Sequence, residues 1–166
     1  MSPKQAPNDN QIYPLHVFRF HVDFEVDPLS NTGGGRPVKI CSGAFSECTG
    51  LEATMEPKVI KEGGRNYGPV QRAGPVTFAT VILKRGMTTT RHLWRWFEMV
   101  NRSGAYAHRL AVKVTMMNNA GEAVLTWKLA KAMPTKFKAA DLNAKGTEVG
   151  IEELHLVHEG LSLEGK

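Results

Sequence analysis

Cysteine is nearly absent: Cys41 and Cys48 are the two in 166 residues. They stand seven apart in a stretch read as extended, which would turn them to opposite faces of a strand. No disulfide is therefore expected, and both read as reduced, partly buried thiols. Neither belongs to a CxxC pair, and no HExxH or Cys–His zinc spacing occurs, so neither a metal site nor a cofactor is expected. Long apolar runs are also missing. None approaches the ~18 residues that cross a bilayer, so the chain is not expected to insert into a membrane by itself. Met1 to Asn10 is polar, holds Pro3 and Pro7, and lacks the apolar segment of a secretory signal, so synthesis in the cytoplasm is expected.

Catalytic signatures are lacking as well. There is no GxSxG, and Ser42-Gly43 has no upstream glycine. Glu62 to Gly68 is glycine-rich but lacks the Gly-Lys-Ser/Thr ending of a phosphate loop. The histidines at 16, 21, 92, 108, 155 and 158 read as surface or packing residues. His155 and His158 would lie on opposite faces of a strand. An enzyme is not expected.

A chain of this length forms one domain and buries roughly 70% of its unfolded surface, so it needs no covalent or metal staple. The net charge of +5 and pI near 9.3 suit an acidic partner such as nucleic acid, a membrane surface or an anionic cargo, but ordinary solubility charge is the better reading. Residues 1–13 read as a flexible polar arm and residues 14–166 as a single β domain.

Phe18, Phe20, Val22, Phe24 and Val26 alternate with Arg19, His21, Asp23 and Glu25. Period two predicts a strand with one dry and one wet face. Asp27 to Pro37, with Gly33, Gly34 and Gly35, reads as the tip of a long hairpin leading into a strand over Val38–Phe45. Ser46–Ile60 reads as a further strand, with Pro57 marking an edge or an interruption. Lys61–Pro75 reads as a loop, and Val76–Lys84 as a strand buried on both faces. One helix is predicted over Arg91–Arg102, with Leu93, Trp96, Phe97 and Val100 on one packing face. Thr89 or Thr90 would cap it and Ser103-Gly104 would stop it. Strands are predicted over Arg109–Met117 and Ala123–Ala130. A last one spans Glu148–Leu163, where a phase slip suggests a bulge at Glu152-Glu153. The sum is about seven strands and one helix: a mainly β fold of two packed antiparallel sheets, sandwich or barrel, with an outer α-helix.

Several phrases, in their order, resemble the tail tube proteins of contractile phage tails and phage tail-like injection systems. They are Gly43 to Leu51 (GAFSECTGL), Lys61 to Asn66 (KEGGRN), Leu83 to Gly86 (LKRG) and the helix with Leu93 to Trp96 (LWRW). Val124 to Trp127, Ala132 to Lys136, Val149 to Leu154, His158 to Leu161 and the Phe-x-Phe-x-Val opening strand add to it. The resemblance covers roughly residues 14 to 163. It implies a structural protein whose six-membered rings stack into a hollow inner tube, with sheath and baseplate proteins as partners and protein or DNA cargo in the lumen. It also implies a mature location in the tail or injection particle. A tube-initiator ring at the baseplate is an alternative. A basic all-β nucleic-acid-binding module is the alternative from another class.

Within that expectation, Gly33, Gly34, Gly35, Glu62, Gly63, Gly64, Arg65, Asn66 and Tyr67 are candidate inter-subunit contacts. Such loops also read as plain surface loops. Arg19, His21, Asp23 and Glu25 are candidate lumen-facing residues.

Overall fold

The computed structural model describes residues 15–26, 39–43, 45–103 and 109–165, with the backbone alone at 39–43 and 103. The expectations for residues 1–13 and for Gly33, Gly34 and Gly35 lie outside the described residues.

Among the described residues the chain forms twelve strands and one helix. The opening alternation becomes β1 (Phe20–Val26), which pairs antiparallel with β2 (Lys39–Gly43) on one side and β9 (Leu110–Met117) on the other. β9 pairs with the first half of β10 (Ala123–Lys138), whose far edge takes β12 (Gly160–Gly165). The first sheet is thus β2-β1-β9-β10-β12. The second half of β10 enters a second sheet with β11 (Ile151–Val157), β8 (Val81–Gly86) and β3 (Glu47–Thr49). The chain can turn from one sheet to the other inside β10 because Lys131 adopts a left-handed backbone, φ 51°. The β10–β9 register shifts there, between Leu129 and Ala132, and the β10–β11 register shifts between Pro134 and Lys136, where a residue without an N–H can sit in a strand.

The dry faces of the two sheets share one core. Val22, Phe24, Val112, Val114 and Leu129 of the first sheet meet Val81, Leu83, Leu154 and Leu156 of the second. Helix α1 (His92–Ser103) adds Leu93 and Trp96, the latter 2% exposed and edge-on to Phe24 at 5.5 Å.

Several elements differ from the sequence expectation. Phe18 precedes β1 and is exposed rather than part of its dry face. Ser46–Ile60 is three strands rather than one: β3, then β4 (Ala53–Met55) and β5 (Lys58–Ile60). The expected loop Lys61–Pro75 contains β6 (Val70–Arg72). Val76–Lys84 is split into β7 (Val76–Phe78) and β8, and β7 is largely exposed instead of buried on both faces. The split coincides with a close chain crossing. Gly50, at φ 87°, crosses so close to Thr80 that a Cβ on it would lie 2.1 Å from the Thr80 carbonyl oxygen. The break between β7 and β8 falls at that crossing. Cys41 and Cys48 fall on different strands, β2 and β3, and the Cys48 thiol is free.

No bulge occurs at Glu152-Glu153. β11 pairs with β8 without a register shift from Ile151–Gly86 to Leu156–Val81. Glu152 simply takes a core position in phase with Leu154 and Leu156. It is tolerated there because Arg85, its direct partner across the strands, bonds its carboxylate through Nε, both residues being 6% exposed. The Arg85 guanidinium also lies 5.8 Å from the Phe45 ring centroid.

Candidate assembly interface

The wet face of the first sheet gathers residues that the sequence scatters. Strand alternation sends His21, Asp23 and Glu25 of β1 to the face opposite Val22 and Phe24. By the same alternation β9 presents Lys113 and Thr115, β10 presents Thr126 and Lys128, and β12 presents Ser162 and Glu164. Register aligns them into rows. His21, Thr115, Thr126 and Glu164 are successive partners across four strands, and Asp23, Lys113, Lys128 and Ser162 form the next row. Arg19 lies just before β1, exposed, its carbonyl accepting from the Met117 N–H at 2.9 Å.

Charges on this face are matched locally. Lys113 Nζ lies 2.7 Å from Glu25, Lys128 Nζ 2.5 Å from Glu164, and His21 Nε2 3.2 Å from Asp23. The Thr115 and Thr126 hydroxyls approach to 3.4 Å. The structure therefore brings His21, Asp23 and Glu25 together with lysines and threonines that sequence reasoning did not select. The period-two pattern of Val112, Val114 and Met116 already marked which residues would face away from the core.

The second feature is an arm. β4 pairs with β7 and β5 with β6, so residues 53–78 fold back on themselves as one long hairpin. Most of its side chains are exposed, including Met55, Val59 and Val76. Glu62, Gly63, Gly64, Arg65, Asn66 and Tyr67 all sit at its tip, with Tyr67 95% exposed. Gly64 and Gly68 have φ of 82° and 78°, backbone that the turn requires and that side-chain-bearing residues resist. Near the root, Gly74 passes so close to Glu56 that a Cβ would meet the Glu56 carbonyl oxygen at 1.8 Å. The arm returns to the core through Phe78, whose ring lies 5.1 Å from that of His158.

On the helix, Leu93 and Trp96 are buried, and Phe97 and Val100 are half-buried. Trp94 is more exposed, resting against Phe97 at 5.7 Å and Phe137 at 5.4 Å.

Perturbed titrating groups are few and are explained by packing. Burial pushes the Cys48 thiol up to about 11, which keeps it protonated and unreactive at neutral pH. Burial holds His158 below its ordinary value, opposed by its Nδ1 contact to the Gly160 carbonyl oxygen at 3.0 Å. The Arg109 hydrogen bond holds the Glu159 carboxyl below its usual range against an opposing desolvation effect, with Lys131 adding a smaller pull in the same direction as Arg109. No group of three or more His, Cys, Asp or Glu among the described residues could hold a metal ion. No helix there is long and apolar enough to cross a membrane.

Solved structures share this fold. A chain of the anti-feeding prophage baseplate matches at 26% identity and TM-score 0.74, covering 93% of this chain and 98% of that one. A chain of an extracellular contractile injection system sheath–tube complex matches at 19% identity and TM-score 0.72, covering 97% and 100%. A type six secretion system protein matches at 8% identity and TM-score 0.53, covering 89% and 84%. No curated protein matches the sequence. The family model of the T4-like virus tail tube protein gp19 matches residues 16–162, nearly the whole chain, so the protein belongs to that tail tube family and is a tube protein of the contractile-tail type.

Proposed function

We propose that residues 14–166 act as one structural unit that closes into six-membered rings, which stack into a hollow tube. The wet face of the first sheet, with Arg19, His21, Asp23 and Glu25, lines the lumen. The observation that carries this reading is the local pairing of charge on that face. Among its described side chains, Lys113 pairs with Glu25, Lys128 with Glu164 and His21 with Asp23. Protein or DNA cargo meets locally paired charge there and can slide without sticking. That balance also argues against the nucleic-acid-binding module, which needs an unpaired basic face.

Ring closure follows from the same physics. The outer edges of β2 and β12 have no strand beside them among the described residues. Unpaired strand edges find partners on identical copies, and cyclic symmetry limits growth to a ring. The exposed arm, with Glu62 to Tyr67 at its tip, and the segment holding Gly33, Gly34 and Gly35 reach between copies. A sheath and a baseplate are the outer partners, as the relatives stand in a sheath–tube complex and in a six-fold symmetrised baseplate. The role is assembly and conduction, not catalysis. The mature protein resides in a tail-like particle.

Electron microscopy of the purified chain tests this directly. Hollow rings of uniform diameter, stacking at high concentration or on a baseplate, are expected. A compact monomer under both conditions overturns the reading. Removing residues 62–67 should leave a folded subunit that no longer stacks.

A further inference from the structure

Two pairs of cations stand directly opposite each other across strands. Lys113 faces Lys128, and each is neutralised by its own glutamate. Lys58 of β5 faces Arg72 of β6 on the arm, beside the Ile60–Val70 pair on the same face. Both are exposed, and neither has an ion-pair partner among the described residues. Like charges directly opposed weaken a two-stranded ladder, and this ladder is three residues long with little burial to offset them. Of the arm's two carboxylates, Glu62 is taken by Arg65 at 3.7 Å and Glu56 has no ion-pair partner among the described residues.

The carboxylates that could answer this pair are found by elimination. Nine of the fourteen described Asp and Glu residues are engaged by a Lys, Arg or His of the same chain. Glu52 and Glu122 accept side-chain hydrogen bonds from Thr54 and Asn118. Glu56 belongs to the arm itself. Asp141 and Glu148 remain. Both are exposed on residues 139–150, a segment that leaves and returns beside Met87 and borders an open cleft of about 750 Å³. Lys138, Lys145 and Glu153 also line the cleft; Glu153 is engaged by His155, which leaves Asp141 and Glu148 as its two unengaged carboxylates.

We propose that Lys58 and Arg72 of one copy dock against Asp141 and Glu148 of a second copy. The docking deepens the reading that the arm bridges subunits, and it rests on that reading. An arm whose charges repel in isolation and are matched on contact favours the assembled state and fixes which surface it meets.

The experiment uses full-length protein with two charge reversals, Lys58→Glu with Arg72→Glu and Asp141→Lys with Glu148→Lys, alone and combined. Thermal melts confirm folding, and sedimentation with electron microscopy reads assembly. Each reversal alone should raise the concentration needed for stacking about tenfold or more, and the combined variant should restore it. Normal stacking of the Lys58→Glu, Arg72→Glu variant overturns the proposal. So does failure of the combined variant when both parents fold. If deletion of residues 62–67 blocks stacking while either result holds, the arm keeps its bridging role and only this contact is lost. Absence of any assembly by the unaltered chain overturns both. Normal stacking with lost retention of duplex DNA overturns the docking and assigns the cations to nucleic acid.

Discussion

Lys113 and Lys128 are direct cross-strand partners, yet each ammonium leans away from the other onto a glutamate, Glu25 on one flank and Glu164 on the other. The arrangement spans four strands and makes the wet face of the first sheet electrically quiet. Glu25→Gln should leave Lys113 facing Lys128 with half the compensation gone. These groups are partly exposed and screened, so the expected loss is about 0.5–1 kcal/mol, larger at low ionic strength. Adding Lys113→Gln should recover most of it. Melting temperatures of the variants across a salt series check both statements.

The Arg85–Glu152 pair sits inside the protein rather than on its wet face, and its energetics run differently. Glu152→Ala strands a buried guanidinium and should cost about 3–5 kcal/mol. Replacing both partners together, Arg85→Met with Glu152→Leu, should be close to neutral, because a packed apolar pair avoids the desolvation of two charges. Urea denaturation of the single and double variants measures the difference. A single variant as stable as the parent would show that the pair is solvated.

Trp96 is the helix's main anchor, in edge contact with Phe24 and surrounded by core residues of both sheets. Trp96→Ala should cost about 3–5 kcal/mol, as other large buried aromatics do. Trp94, which lies at the surface of the same helix, should cost much less when changed to alanine. The contrast between the two melts distinguishes a core anchor from a surface contact.

These residues also show how far the sequence could be read. The alternation around Val22 and Phe24 and the helical spacing of Leu93, Trp96 and Val100 were legible, since burial alone dictates those periods. Glu152 was not, because a charge at a core position breaks the binary pattern and mimics a slip in phase. Pairing with Arg85 depends on register, which no local window contains. The division of Val76–Lys84 was hidden because both halves have the same composition, one lying on the exposed arm and the other in the core. The end of β10 was hidden for the opposite reason. Pro134 suggests a break, and only the register shift beside it keeps the strand going. On the wet face, β1 pointed to His21, Asp23 and Glu25, but Lys113, which answers Glu25, comes from a strand about ninety residues further on and meets it only through the sheet.

His158 links the core to the root of the arm and makes a prediction about acid. Its ring is buried against Phe78, Nδ1 contacts the Gly160 carbonyl oxygen, and Nε2 is buried without a partner. The neutral ring with its proton on Nδ1 suits this setting; a second proton on Nε2 would have no acceptor. Burial accordingly lowers the folded-state value below the ordinary 6.5. Between those two values the unfolded chain binds the extra proton and the folded chain does not. Stability from this residue is therefore complete above pH 6.5 and falls as pH drops through 6.5 toward the folded-state value. His158→Phe should flatten that part of the stability–pH curve while keeping the ring contact with Phe78. Melts of both proteins from pH 8 down to about pH 5 test it, and equal slopes in the two would show that His158 takes no part in the acid response.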